Sequence, residues 1–205
     1  MPELSCVLLA GPNGSGKSSA FPKLKLEGEL INADEIARDI ADLSGSARDW
    51  RAGQIALKKL AEMIDTRRSF IFETTLASQH SIRLMREAKV AGFTVGLYYT
   101  ALDSVETNIE RVRQRVLKGG HSIPEDVIRR RHSASFLKLS EALETADEVV
   151  LVDNSNLEPH VVFEITSGEV LSFDVDETQA LHRQFETKVC DAYGLVRTGN
   201  TFSKR

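Results

Sequence analysis

The stretch GPNGSGKSS at residues 11–19 follows the apolar run CVLLA and constrains the fold of this chain more than any other feature. It fits the pattern G-x-x-x-x-G-K-[ST], in which glycines allow backbone N–H groups to surround phosphate oxygens. A strand before the loop and a helix after it would point a partial positive charge at the same phosphates. The pattern therefore predicts a nucleotide-binding loop. Its residues are Gly11, Pro12, Asn13, Gly14, Ser15, Gly16, Lys17, Ser18 and Ser19.

Two side chains of this loop carry chemistry. In the pattern, the ammonium group of Lys17 reaches the outer phosphates and the hydroxyl of Ser18 is a ligand of Mg²⁺. We therefore expect ATP and Mg²⁺ as ligands. The alternative at this point is a glycine-rich turn that matches the pattern by chance.

Composition sets the outer limits of the fold. The chain has 205 residues, of which 41% are hydrophobic, and a formal net charge of −4, which favours one domain with or without a small appendage. The two cysteines, Cys6 and Cys190, are far apart in sequence and are expected to be reduced. No window approaches the roughly 18 apolar residues of a membrane span, and no signal peptide is apparent. We expect a cytoplasmic protein that does not bind membranes.

Short β-type runs alternate with longer helical patterns, which is typical of an α/β fold with a mostly parallel sheet and helices on both faces. The predicted strands are Ser5–Ala10, Glu29–Asn32, Ser69–Glu73, Thr94–Thr100 and Glu148–Asp153. The predicted helices cover residues 17–22, 34–41, 47–66, 78–91, 104–118 and 124–145.

The pattern changes after Asp153. The run HVVFEITSGEVLSFD predicts a β-hairpin that turns at residues 167–168, and a helix is expected over Asp176–Tyr193. The polar end RTGNTFSKR is expected to fray. We therefore divide the chain into a P-loop domain at 1–158, which includes a helical lid at about 108–132, and an appendage of hairpin and helix at 159–205.

Residues that follow the strands of a doubly wound sheet lie where ligands bind. Asp34 follows the second predicted strand, and Glu73 ends the third, with Thr75 two residues later. An acid after an apolar strand can hold Mg²⁺ through water or orient a nucleophile. The alternative is that Asp34 and Glu73 only cap the helices that follow them.

The segment RVRQRVLKGGHSIPEDVIRRR at 111–131 is basic although the chain is acidic. Two helices joined by Gly119–Gly120 and carrying arginines predict a lid that closes over a nucleotide, excludes water and stabilises the charge of a transferring phosphate. His121 at the lid tip is expected to face the site. The alternatives are a solvated basic face and a nucleic-acid surface, and the scarcity of aromatic residues argues against the second.

Together, GPNGSGKSS, INADEIA, FETTLA and the lid segment resemble the zeta toxin family of P-loop kinases, and most closely its short bacterial members. The resemblance covers roughly residues 1–160. It implies transfer of the γ-phosphate of ATP to a hydroxyl of a sugar nucleotide, UDP-N-acetylglucosamine in the best known members. It also implies an antitoxin partner.

The resemblance assigns roles to single residues. It implies that Asp34 is the base on the acceptor hydroxyl, that Glu73 and Thr75 bind near the substrate, and that Arg115 and Arg131 hold phosphate. With Lys17, the expected catalytic set is Lys17, Asp34, Arg115 and Arg131, and the expected substrate-binding set is Asp34, Glu73, Thr75 and His121. Ser18 and Glu73 are the expected metal site. Another small hydroxylated acceptor, or a regulatory P-loop protein without catalysis, remains open from the residues alone.

Overall fold

The computed structural model describes residues 4–205, apart from the side chain of Lys23, so the first three residues of the predicted domain 1–158 lie outside it. The predicted α/β class is confirmed. The strands are β1 Ser5–Ala10, β2 Glu29–Ile31, β3 Phe70–Thr74, β4 Thr94–Ala101, β5 Glu148–Asp153, β6 His160–Thr166, β7 Glu169–Phe173, β8 Leu195–Thr198 and β9 Thr201–Lys204. The helices are α1 Lys17–Leu24, α2 Ala33–Arg38, α3 Gly45–Asp65, α4 Gln79–Val90, α5 Val105–Leu117, α6 Glu125–Thr145 and α7 Ala180–Tyr193.

The main sheet has the strand order β2-β3-β1-β4-β5-β6-β7. Its first five strands are parallel, as predicted, and β6 and β7 are added in antiparallel orientation. The sequence predicted a five-stranded sheet with a separate hairpin, and this is corrected to seven strands. The physical reason is that β5 would otherwise be an edge strand with unpaired N–H and C=O groups, which the hairpin satisfies.

Both faces of the sheet are covered. Successive residues of a strand point to opposite faces, yet the neighbours Leu8 and Leu9 in β1 and Phe70 and Ile71 in β3 are all fully buried. Strands buried on both sides are typical of a parallel sheet between helices. The apolar run CVLLA is therefore a central strand, as its composition predicted.

The carboxyl ends of the central strands meet at one edge of the sheet. In the register of β1 with β3, Leu9 lies beside Glu73 and Ala10 beside Thr74, while β4 flanks β1 on its other side. The phosphate loop starts at Gly11, directly after β1. The sheet therefore brings this loop and Glu73 together although 62 positions separate Gly11 from Glu73 along the chain.

The segment predicted as a lid, at about 108–132, comprises most of α5 and the first turns of α6. Helices α5 and α6 share a small apolar core of Ile109, Val112 and Ile128, separate from the main core. Gly119 has φ = 86° where α5 ends, a left-handed conformation that favours glycine. The lid therefore has its own packing and lies beside the phosphate loop, where the side-chain amide of Asn108 donates to the Asn13 carbonyl at 2.7 Å.

The C-terminal region joins the main core. Helix α7 buries Leu181, Phe185 and Val189 against it. The prediction that RTGNTFSKR frays is wrong, because β8 and β9 form an antiparallel hairpin. The ring of Phe202 lies 4.9 Å from that of Phe173, centroid to centroid, so one aromatic residue anchors an otherwise polar segment.

Candidate active site

Glycines allow the backbone of the phosphate loop to pack closely against neighbouring backbone. Gly11, Gly14 and Gly16 all have positive φ. A Cβ on Gly11 would lie 2.0 Å from the Thr100 carbonyl oxygen, and one on Gly14 would lie 2.6 Å from that of Asn108. The loop therefore packs against the neighbouring backbone at distances that no other residue allows.

The polar groups of the loop fit a phosphate. The Lys17 side chain is 7% exposed, and its Nζ donates to the carbonyls of Gly11 and Pro12 at 2.8 and 3.0 Å. Burial lowers the pKa of Lys17 to about 8, opposed mainly by the charge of Glu73. Within residues 4–205, the buried Ser15 hydroxyl finds no hydrogen-bond partner. A buried ammonium and an unpaired hydroxyl in a glycine loop are what anionic oxygens would satisfy.

A carboxylate lies beside the end of the loop. The Ser18 hydroxyl donates to Glu73 Oε1 at 2.9 Å, and Asn32 Nδ2 donates to Glu73 Oε2 at 2.8 Å. Burial raises the pKa of Glu73, and Lys17 and Ser18 act in the opposite direction. Hydroxyl and carboxylate oxygens are the donors that Mg²⁺ prefers, together with phosphate oxygens and water. Ser18 and Glu73 therefore fit the predicted metal.

Neither acid caps a helix. The N-cap of α2 is Asn32, whose Oδ1 accepts from the Asp34 backbone N–H at 2.8 Å. The N-cap of α4 is Ser78, so Glu73 does not fill that position. The capping alternatives for Asp34 and Glu73 are thus wrong. Asp34 instead lies exposed in the first turn of α2 and lines the cleft above the phosphate loop.

The lid contributes further side chains to the cleft. Arg131 Nη1 lies 3.4 Å from Asn13 Oδ1 in the phosphate loop. Arg115 Nη2 donates to the His121 carbonyl at 2.9 Å, and its Nε is buried with no partner among the described residues. At the lid tip, His121 Nε2 lies 3.5 Å from Asp49 Oδ2 of α3. The lid therefore reaches across the cleft to α3.

The resulting cleft has a volume of about 1140 Å³, slightly above the roughly 300–1,000 Å³ of a pocket for one small ligand. The fold brings together most of the predicted site. The predicted residues in its lining are Asn13, Gly14, Gly16, Lys17, Ser18, Ser19, Asp34, Glu73, Thr75, Arg115, His121 and Arg131. Gly11, Pro12 and Ser15 are buried behind this lining.

The cleft lining also includes polar side chains that sequence reasoning did not assign to the site, among them Asn32, Arg48, Asp49, Arg111 and Asn154. Asn32 had a signal, since asparagine between a strand and a helix is a favoured N-cap. The sequence signal for Asn154 was weaker: it directly follows β5, and residues at that position lie where ligands bind. Arg48, Asp49 and Arg111 lie within helices, where the packing of α3 against β2 and β3 and of α5 against α6 decides which face meets the site.

Comparison with known proteins identifies the family of this chain. The profile of the zeta toxin family matches residues 4–158, which is most of the chain. The chain belongs to the zeta toxin family. The predicted membership of this family of P-loop kinases is thereby confirmed. An uncharacterised protein from Haemophilus influenzae is 34% identical over 128 residues, or 62% of this chain and 91% of that protein.

Solved structures share the fold at low identity. The crystal structure of AvrRxo1-ORF1 with AvrRxo1-ORF2 and ATP matches with a TM-score of 0.69 and 17% identity, over 96% of this chain and 66% of that one. This chain is thus shorter than the AvrRxo1 chain it matches. The PezAT toxin–antitoxin system of Streptococcus pneumoniae matches with a TM-score of 0.56 and 14% identity, over 94% of this chain and 88% of that one. Among residues 4–205, no helix is both long and apolar enough to cross a bilayer.

Proposed function

We propose that this protein is an ATP-dependent phosphotransferase that moves the γ-phosphate of ATP to a hydroxyl of a small molecule in the cytoplasm. One observation carries the proposal. One cleft is lined by the exposed carboxylate of Asp34, the buried ammonium of Lys17, and the lid residues Arg115 and Arg131. A nucleotide-binding module alone has no need of an acid and two lid cations around the outer phosphates.

The residues divide the chemistry among them. The loop N–H groups and Lys17 would hold the phosphates, and Ser18 with Glu73 would hold Mg²⁺. When bound, Mg²⁺ neutralises charge on the phosphate oxygens. Asp34 accepts the proton of the attacking hydroxyl as a general base. Arg115 and Arg131 donate to the transferring phosphoryl group, and closure of the lid excludes water that would otherwise hydrolyse ATP.

The acceptor we propose to test first is a UDP-sugar such as UDP-N-acetylglucosamine. The family of the chain supports this choice, and the cleft volume of about 1140 Å³ is larger than a pocket for one small ligand usually is. Thr75 and His121 would contact the acceptor. We also propose an antitoxin protein as partner, because PezAT is a toxin–antitoxin system of the same fold.

The test is incubation with Mg-ATP and a panel of UDP-sugars, free sugars and nucleosides, read by mass spectrometry for the gain of one phosphate. We expect one class of acceptor to gain a phosphate with the native protein and none with Lys17→Met. Slow release of ADP across the whole panel, with no phosphorylated product, would instead favour a regulatory P-loop protein.

A further inference from the structure

A buried acid–histidine pair lies behind the cleft and outside its lining. His182 of α7 and Asp153 at the end of β5 are 4% and 6% exposed, with His182 Nε2 3.2 Å from Asp153 Oδ2. The Nδ1 atom of His182 accepts from the Asp176 backbone N–H at 3.0 Å. Because Nδ1 accepts, the proton lies on Nε2, which donates to the carboxylate. His182 also lies beyond residue 158, where the family match ends.

Asp153 connects this pair to the loop that follows β5. Its Oδ1 accepts from the Ser155 backbone N–H at 2.8 Å and from the Ser155 hydroxyl. The same hydroxyl accepts from the Asp103 backbone N–H at 2.8 Å, just before α5 begins. The carboxylate therefore holds the turn at 153–155 in one orientation.

Asn154, in the middle of this turn, contacts both sides of the nucleotide site. Its Nδ2 donates to the Ser15 carbonyl of the phosphate loop at 2.8 Å, and the same atom would lie 2.2 Å from a Cβ on Gly16. Its backbone carbonyl accepts from Arg111 Nη2 of the lid at 2.8 Å. A turn of three residues thus touches the phosphate loop and the lid helix at once.

We propose that His182 is a positioning residue for the nucleotide site, acting through Asp153 on the turn at 153–155. The inference rests on the proposed binding of ATP. Without His182, a buried carboxylate oxygen loses its donor, which is costly for a charged group. The carboxylate then turns toward water or another donor, and Asn154 loses its fixed contact with Ser15. The region beyond residue 158 therefore shapes the site that binds the phosphates.

The experiment measures the ATP dissociation constant of the whole chain by calorimetry, which needs no acceptor. We expect His182→Leu to weaken ATP binding about tenfold, the size of one lost hydrogen bond to a charged group. His182→Gln is expected to restore binding to within about threefold, because its amide can donate to Asp153 and accept from Asp176. Hydrogen exchange of residues 13–16 in the ATP-free protein is expected to be faster in His182→Leu and close to native in His182→Gln.

The matched control is Val189→Ala, a fully buried position about two turns further along α7. It lowers stability through a cavity, but we expect ATP affinity and exchange at 13–16 to stay native. Equal weakening by Val189→Ala, or native affinity in folded His182→Leu, would overturn the proposal. If His182→Leu does not fold, Ser155→Ala cuts the same connection at a half-buried position, and native affinity in that variant overturns it too.

Absence of ATP binding in the native protein would contradict the proposed function, and the exchange measurement still decides whether His182 orders the loop. A native exchange rate at residues 13–16 in His182→Leu would then overturn the positioning role by itself.

Discussion

The two walls of the cleft differ in how much backbone and how many exposed side chains they contain. The phosphate wall, residues 11–18, consists largely of backbone and buried side chains, with Ser15 0% and Lys17 7% exposed. The facing wall, Asp34, Arg48, Asp49, Thr75 and His121, consists of side chains that are exposed or half-buried. The first is held by the packing of its backbone, whereas the second is largely open to solvent. This difference fits the roles proposed for the two walls, a fixed site for ATP and a more open site for the acceptor.

The largest effect is expected on the facing wall. Asp34→Asn removes the proposed base and should lower the rate of phosphate transfer about a hundredfold to ten-thousandfold, while ATP affinity stays near native. Steady-state transfer and calorimetry measure the two quantities. Glu35→Gln, also exposed in the first turn of α2, is the control and should remain active. Unchanged transfer in Asp34→Asn would remove Asp34 from the mechanism.

A change in the lid should also lower mainly the rate of phosphate transfer. Arg115→Ala is expected to lower the transfer rate about a hundredfold, because a donor to the developing charge is lost, with a smaller change in ATP affinity. Arg113→Ala is the matched control on the same helix, since Arg113 pairs with Glu125 at the surface. If both variants lost the same activity, the effect would come from helix α5 and not from a phosphate contact.

A substitution in the phosphate wall should lower the free energy of unfolding of the protein. Gly11→Ala forces a Cβ to within 2.0 Å of the Thr100 carbonyl at φ = 139°, so we expect the free energy of unfolding to fall by about 2 kcal/mol or more. The control is Gly53→Ala in α3, which is expected to raise the free energy of unfolding. Apart from its chain neighbours and the backbone of its own helix, no atom of residues 4–205 lies within 4 Å of its added Cβ, and alanine favours the helix by about 1 kcal/mol. Denaturant unfolding of both variants would test how rigid this wall is.

The smallest effect concerns pH. In the ATP-free protein the pKa of Lys17 is lowered to about 8, and bound phosphates would raise it because they favour the charged form. ATP affinity is therefore fully present below pH 8 and is lost as pH rises through that value, by up to about tenfold between pH 7 and 9. Calorimetry across this range should show the decline, and Lys17→Met should bind weakly with little dependence above pH 8. A flat profile in the native protein would mean that Lys17 stays charged.

Local signals predicted a large part of this molecule. The strands β1 and β5 have the predicted bounds, and the other parallel strands and the helices α3 to α6 differ by a few residues at most. These elements have strong periodicity or a loop pattern with few backbone solutions. The sequence pointed to Asp34 and Glu73 as cleft residues for a topological reason, since the carboxyl ends of parallel strands share one edge, and both line the cleft.

The remaining features depend on contacts between distant segments. The sequence by itself determined the phosphate loop, the α/β order of elements and the residue types at the strand ends, because each follows from spacing within a short window. Only the tertiary structure decided that the hairpin completes the sheet beside β5, that Arg48 and Asp49 face the cleft, and that His182 lies against Asp153, 29 positions away. Those contacts depend on which edges and faces remain unpaired after the sheet forms, and no local pattern carries that information.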